Sequence, residues 1–200
     1  MHVSYAIRNV WIIDGTGRPR IEGMVTTTDR FISYVGPTRS DISADHDIDG
    51  AARILSPGFI DMHGHSDLHV LRGSRMSEKI SQGITTEVLG NCGIGVYPLA
   101  PDVHRRTLMA QLAADILGPS DERWPWEDFS SYAEAVEQVD VDTHLIGLQA
   151  HAPLRVAVLQ RNVNRAATEN ELKQMCDALH QSFDQGASGF STGLYYAPCM

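Results

Sequence analysis

Two hydrophobic rhythms succeed one another along this chain. Through the first fifty or so residues, apolar and β-branched side chains come in short runs cut by turn signals, the pattern of tightly joined strands. Tyr5 to Ile13 is rich in β-formers and stops at Asp14-Gly15-Thr16-Gly17, a strong turn sequence. Met24 to Thr28 and Phe31 to Val35 flank Asp29-Arg30 and predict a hairpin, which Gly36-Pro37 closes. Ile54-Leu55 then leads through Ser56-Pro57-Gly58 into the next region. A β-layer this thin is not stable by itself.

After residue 56 the rhythm alternates between short apolar runs and helical stripes, which predicts parallel βα units. The predicted strands are Phe59 to Met62, Ile84 to Leu89, His144 to Leu148 and a weaker Ala187 to Phe190. Between them, Leu108, Leu112 and Ile116 form one helical stripe. Ser131 and Glu134 match a capping box for a helix carrying Val136 and Val139. Thr168 and Glu171 match the same box, and Leu172, Met175, Cys176 and Leu179 follow at helical spacing as predicted core. The expected organisation is therefore a small β-domain over residues 1–55 and four βα units over 56–200. The fold class is α/β, the first half of a (β/α)₈ barrel. A full barrel needs roughly 250 residues, so the chain reads as cut.

Composition narrows the function classes. With 200 residues, 42% hydrophobic and 20% charged, the chain is an ordinary globular protein with room for a substantial core. Its net charge of −9 argues against a nucleic-acid partner. Arg105-Arg106, its adjacent basic pair, reads as a solvated helix face. No apolar run approaches membrane length, and the first residues lack the regions of a signal peptide. The expected location is cytoplasmic, without membrane or nucleic-acid partners. Cys92, Cys176 and Cys199 are too few and too scattered for a disulfide framework.

The chemistry concentrates in His63-Gly64-His65-Ser66-Asp67, directly after the apolar run Pro57-Gly58-Phe59-Ile60-Asp61. Side chains at i and i+2 of an extended segment point the same way, so two imidazoles sit side by side at a strand end. Neutral imidazoles suit zinc and similar metals, although an HxH by itself more often makes structural hydrogen bonds. Asn91-Cys92-Gly93 follows the next strand, and adjacent strands lie about 4.8 Å apart, which brings a sulfur within range of the same ion. Cys92 is either a thiolate ligand or a buried structural cysteine. The chain's two lysines, Lys79 and Lys173, fall on predicted helices, and the fourth strand carries none to bridge two metals. Asp67 and Glu87 are the nearest carboxylates; Asp67 reads as a group orienting the histidines or the strand end.

With these residues assembled, the sequence resembles the amidohydrolase superfamily, and within it the N-acyl-D-amino-acid deacylases. Residues 57–67 resemble the family's PGFIDxHxHxD strand, and Gln82-Gly83-Ile84-Thr85-Thr86 through Gly90-Asn91-Cys92-Gly93 resemble QGxTT…GNCG. Ser191-Thr192-Gly193-Leu194-Tyr195-Tyr196-Ala197-Pro198 resembles STGLxYxP, and Asp14-Gly15-Thr16-Gly17 the first hairpin. The resemblance implies a small β-sandwich built from both chain ends beside a metal-bearing barrel. It implies His63, His65 and Cys92 as ligands of one or two zinc ions, and Tyr196 as the catalytic hydroxyl that meets the substrate carbonyl. One segment departs from the pattern: Gln149-Ala150-His151-Ala152-Pro153-Leu154-Arg155 stands where the family reads VGHGxLR. His151 is expected near the substrate, beside the site rather than as a ligand. Two further histidine ligands and a catalytic aspartate of the family come from later strands, outside these residues.

The implied activity of the complete enzyme is zinc-dependent hydrolysis of N-acyl-D-amino acids to a carboxylate and a free D-amino acid, by metal-hydroxide attack. The chain by itself is expected to be inactive and to need the C-terminal half. Two other readings stay open. One is a cyclic-amide hydrolase of the dihydropyrimidinase or dihydroorotase kind, or a nucleobase deaminase; the other is a non-catalytic half-barrel module.

Overall fold

Alternation in the first region produces one sheet of four strands: β1 (His2–Ile12), β2 (Ile21–Thr28), β3 (Phe31–Gly36) and β4 (Ser43–Leu55). The computed structural model describes residues 1–73, 75–119, 124–159, 162–195 and 197–199. The chain separates into two compact units, Met1–Gly58 and Phe59–Met200. In the first unit the order is β3-β2-β1-β4. β1 and β3 each run antiparallel to β2, and β4 runs parallel to β1. The hairpin turns on Asp29-Arg30, with Thr28 paired to Phe31. A small cluster of Val3, Ala6, Met24 and Ile42 is sealed from solvent.

Strand β4 was not legible as a strand. Its thirteen residues are largely exposed and include three aspartates and a histidine. What holds it is cross-strand chemistry rather than burial. The Arg8 guanidinium pairs with Asp47 at 2.8 Å, Asn9 Nδ2 donates to Asp49 at 2.8 Å, and His46 stacks on Tyr5 with ring centroids 4.7 Å apart. Charge along an outer strand also discourages edge pairing with other chains.

In the second unit β5 (Phe59–Asp61), β6 (Ile84–Leu89), β7 (His144–Ala150) and β8 (Gly189–Ser191) are all parallel and lie in chain order. The connections contain α1 (Ser77–Ile80), α2 (Val103–Leu117), α3 (Phe129–Glu137), α4 (His151–Val158) and α5 (Glu169–Asp184). Parallel neighbours in sequential order, linked through helices, are the unit from which a (β/α)₈ barrel is rolled. The fold is α/β with a curled parallel half-barrel sheet. Its core lies among the helices and connecting loops, where Tyr97, Trp124, Trp126 and Tyr132 pack with Met109, Ala113, Leu117, Leu154 and Val156.

Several local expectations are corrected. On α2 the sealed face is Met109, Ala113 and Leu117, while Leu108, Leu112 and Ile116 lie at its half-buried margin. Helix α3 begins earlier than its predicted box: Asp128 is the cap, Ser131 completes the box, and the helix ends before Val139. The Thr168–Glu171 box on α5 forms as expected. Of the stripe that follows it, Met175 is buried, whereas Leu172 and Cys176 are exposed. That helix presents the narrower row Met175, Ala178, Leu179 and Ser182. Arg105 and Arg106 are not a solvated face. Arg105 binds Asp102 and donates to the Ala157 carbonyl at 2.7 Å, and Arg106 donates to the Ala100 carbonyl at 2.8 Å.

Candidate metal centre

Strand β5 ends at Asp61, so the two histidines stand just beyond it rather than within it. The chain stays aligned there because Gly64 N–H donates to the Val88 carbonyl at 3.0 Å and His63 N–H donates to Asp61 Oδ1 at 3.1 Å. Gly64 is required by close approach: a Cβ at that position would come within 1.7 Å of Glu87 Oε1. The imidazoles of His63 and His65 meet edge to face, 5.3 Å apart.

Cys92 arrives from the loop after β6. His63 Nε2 lies 3.0 Å from Cys92 Sγ. One donor atom from each of His63, His65 and Cys92 falls within 4.8 Å of the other two. His65 Nδ1 is buried without a hydrogen-bond partner among the described residues. Burial holds the His65 pKa below its ordinary value, as does the neighbouring His63, with Glu87 opposing. A neutral ring with a free lone pair is the form that binds a metal. Two nitrogens and one sulfur at this spacing fit a borderline-soft divalent cation.

Beneath the histidines lies a network that the sequence pattern did not reveal. Lys79 of α1 reaches Asp61 at 2.6 Å and Glu87 at 3.4 Å. It thereby couples the ends of β5 and β6, where Asp61 and Glu87 are register partners. Lys79, expected on a helix, does lie on α1 and is engaged in this ion-pair network. Asn91, which precedes the cysteine, is buried and donates to the Val88 carbonyl at 2.8 Å and the Gly64 carbonyl at 3.3 Å. One amide thus ties the cysteine loop to the histidine loop.

The sequence profile of the amidohydrolase family matches residues 48–199. The chain belongs to the amidohydrolase family.

Its relatives define the neighbourhood within that family. D-aminoacylase of Alcaligenes xylosoxydans xylosoxydans is 34% identical over 187 residues, covering 94% of this chain and 37% of the relative. N-acyl-D-aspartate deacylase of the same organism is 36% identical over 194 residues, covering 97% of this chain and 37% of the relative. Among solved structures, N-acyl-D-glutamate deacylase from Bordetella bronchiseptica, complexed with zinc and a phosphonate mimic of the tetrahedral intermediate, superposes with a TM-score of 0.83 at 34% identity. That match covers 99% of this chain and 40% of the other. A D-aminoacylase structure addressing a binuclear metal centre gives a TM-score of 0.86 at 34% identity, covering 98% of this chain and 40% of the other. The chain therefore spans about two fifths of the length of these relatives.

Of the other expected site residues, His151 and Asp67 are described. His151, expected near the substrate, is the first residue of α4, because the chain turns helical immediately after Ala150. Its Nδ1 lies 3.1 Å from Thr192 Oγ1, and its ring meets Phe190 edge to face. Burial, then the charge of Arg155 one turn along the helix, lowers its pKa. The alanines of this segment, Ala150 and Ala152, are both sealed.

Asp67 is wholly buried, and burial pushes its pKa up to about 7. Neither of its oxygens hydrogen-bonds an imidazole; both lack a well-formed partner among the described residues. Its backbone carbonyl instead accepts from the Tyr132 hydroxyl at 2.8 Å. Tyr196 lies outside the described residues. No helix among the described residues is long and apolar enough to cross a membrane.

Proposed function

We propose that this amidohydrolase is a zinc-dependent N-acyl-D-amino-acid deacylase that cleaves the amide bond to a carboxylate and a free D-amino acid. The observation that carries the reading is the convergence of His63, His65 and Cys92 donor atoms within 4.8 Å at the rim of a parallel sheet. Relatives named for the activity match at least 94% of the chain and support the substrate class.

His63, His65 and Cys92 would hold the metal, one or two zinc ions per site. When bound, zinc acidifies water toward neutrality and polarises an amide carbonyl. The chain's own residues prepare the place for it. Asn91 ties the two loops and the Lys79 network ties the strands that carry them, so that little reorganisation accompanies reaction. Tyr196 is assigned to the carbonyl oxygen of the substrate as its negative charge develops, and His151 to the substrate side of the rim. Asp67, sealed below, supports the strand end. Activity is proposed to need the additional strands of the longer relatives, which would also cover the exposed Phe59, Ile60, Met62 and Phe190. All three cysteines are free, which suits a reducing cytoplasm.

The test is a substrate panel with the full-length protein: N-acyl-D-amino acids and their L-enantiomers beside hydantoins and dihydropyrimidines. Hydrolysis of the acyl-D-amino acids, with zinc and activity lost together in Cys92→Ala, is the expected result. Turnover confined to the cyclic amides would move the protein to that branch of the superfamily. Undiminished zinc in Cys92→Ala would remove the thiolate from the site.

A further inference from the structure

We infer that Ser191 is a positioning residue for the Cys92 thiolate; the inference rests on Cys92 being a metal ligand. The loop that carries the sulfur is conformationally unusual. Gly90, Cys92 and Gly93 all lie in the left-handed region, with φ of 77°, 57° and 71°. Glycine adopts that region without penalty, but cysteine does not. A side chain held there persists only where its surroundings over-determine it.

Ser191 supplies that constraint from a distant part of the chain. Its hydroxyl accepts a hydrogen bond from Gly93 N–H at 3.0 Å and donates one to the Gly90 carbonyl. The same oxygen therefore closes both ends of the four-residue loop around Cys92. This use needs a group that is donor and acceptor at once, as a hydroxyl is. The contact also spans the sheet: Ser191 ends β8, the loop follows β6, and β7 lies between them in the strand order.

Packing leaves the loop no alternative seat. A Cβ on Gly93 would meet the Gly193 nitrogen at 2.7 Å and the Thr192 Cα at 3.1 Å. The backbone of Thr192 and Gly193 thus lies directly against the loop that Ser191 clamps. The two glycine-bearing motifs, roughly a hundred residues apart, act as one device. One presents the sulfur, and the other fixes its backbone.

The experiment compares Ser191→Ala, Ser191→Thr and Cys92→Ser in the full-length protein. It reads Zn²⁺ affinity by chelator competition, the sulfur-to-metal charge-transfer band after Co²⁺ loading, and fold by far-UV circular dichroism. Loss of an outer partner of a metal ligand typically weakens binding about 10- to 100-fold. Ser191→Ala is expected to fall in that range with a diminished band and an unchanged fold, and Ser191→Thr, which keeps the hydroxyl, to recover most of the affinity. Parent-like affinity and band in Ser191→Ala, while Cys92→Ser loses both, would overturn the clamp. An unfolded Ser191→Ala would overturn it as well, because the residue would then serve the fold as a whole. Retention of the band in Cys92→Ser would instead refute Cys92 as a ligand, a separate failure.

Discussion

Each unit of this chain holds one four-stranded sheet, yet among the described residues a metal-capable donor group forms only in the second. The difference follows from strand direction. In β5–β8 every strand runs the same way, so each one ends at the same edge. The loops and strand ends there deliver His63 and His65, Cys92, His151 and Ser191 to one rim. In the first sheet β2 runs against both of its neighbours, and its connections leave from both ends. Its histidines are spent locally: His2 lies 2.8 Å from Asp45, and His46 stacks on Tyr5. Polar residues are abundant in both units, and parallel topology is what concentrates them.

The sharpest challenge to this division is a pair of matched core truncations. Met24 in the first unit and Met109 in the second are both sealed. Each change to alanine should cost roughly 2–5 kcal/mol by denaturant unfolding. Met24→Ala should leave Zn²⁺ affinity at the parent value, while Met109→Ala weakens it along with the second unit. Equal loss of zinc in both variants would show that the first sheet supports the site after all.

A smaller effect concerns how the helices of the second unit begin. Asp128→Ala removes the cap of α3 and should cost about 1 kcal/mol. Glu134→Ala, at the position first expected to complete the box, should stay within about 0.5 kcal/mol. Thermal denaturation of the two variants distinguishes the two registers, and the reverse ranking would restore the predicted one.

The smallest effect compares one ion-paired carboxylate in each unit. Glu171 is held down to about 2, first by Arg165 and then by Thr168, and Asp41 is held down to about 2 by Arg39. Both folded values lie below the ordinary ones, so the stabilisation is present above those values and lost as pH falls toward about 2. In metal-free protein, Glu171→Gln and Asp41→Asn should each flatten the acid limb of a melting-temperature profile. Added salt should erase the Asp41 effect more completely, because Glu171 also accepts the Thr168 backbone N–H at 2.8 Å. An acid limb unchanged by Glu171→Gln would show that the box contributes nothing to the stability of α5.

Legibility varied with the kind of force involved. Strand β6 was read to the residue, because its apolar run sits between Gly83 and Gly90. Strand β4 was missed because cross-strand pairs hold it, and these leave no apolar period in the sequence. Cys176 fell on a helical stripe and yet is exposed, since periodicity defines a helix face but not how much of that face a neighbour covers. At the site, His63, His65 and Cys92 were named from residue type and spacing, and the structure brings them together. Lys79, Asn91 and Ser191 received no role, because their partners lie on elements that only folding juxtaposes.

The sequence by itself determined which side chains could bind a metal and that they stand at strand ends. Both are local properties, written in residue type, glycine placement and hydrophobic period. Tertiary structure alone decided that the sulfur turns toward the imidazoles. That direction depends on a left-handed backbone held by hydrogen bonds from residues far along the chain, and such contacts have no signature in sequence spacing.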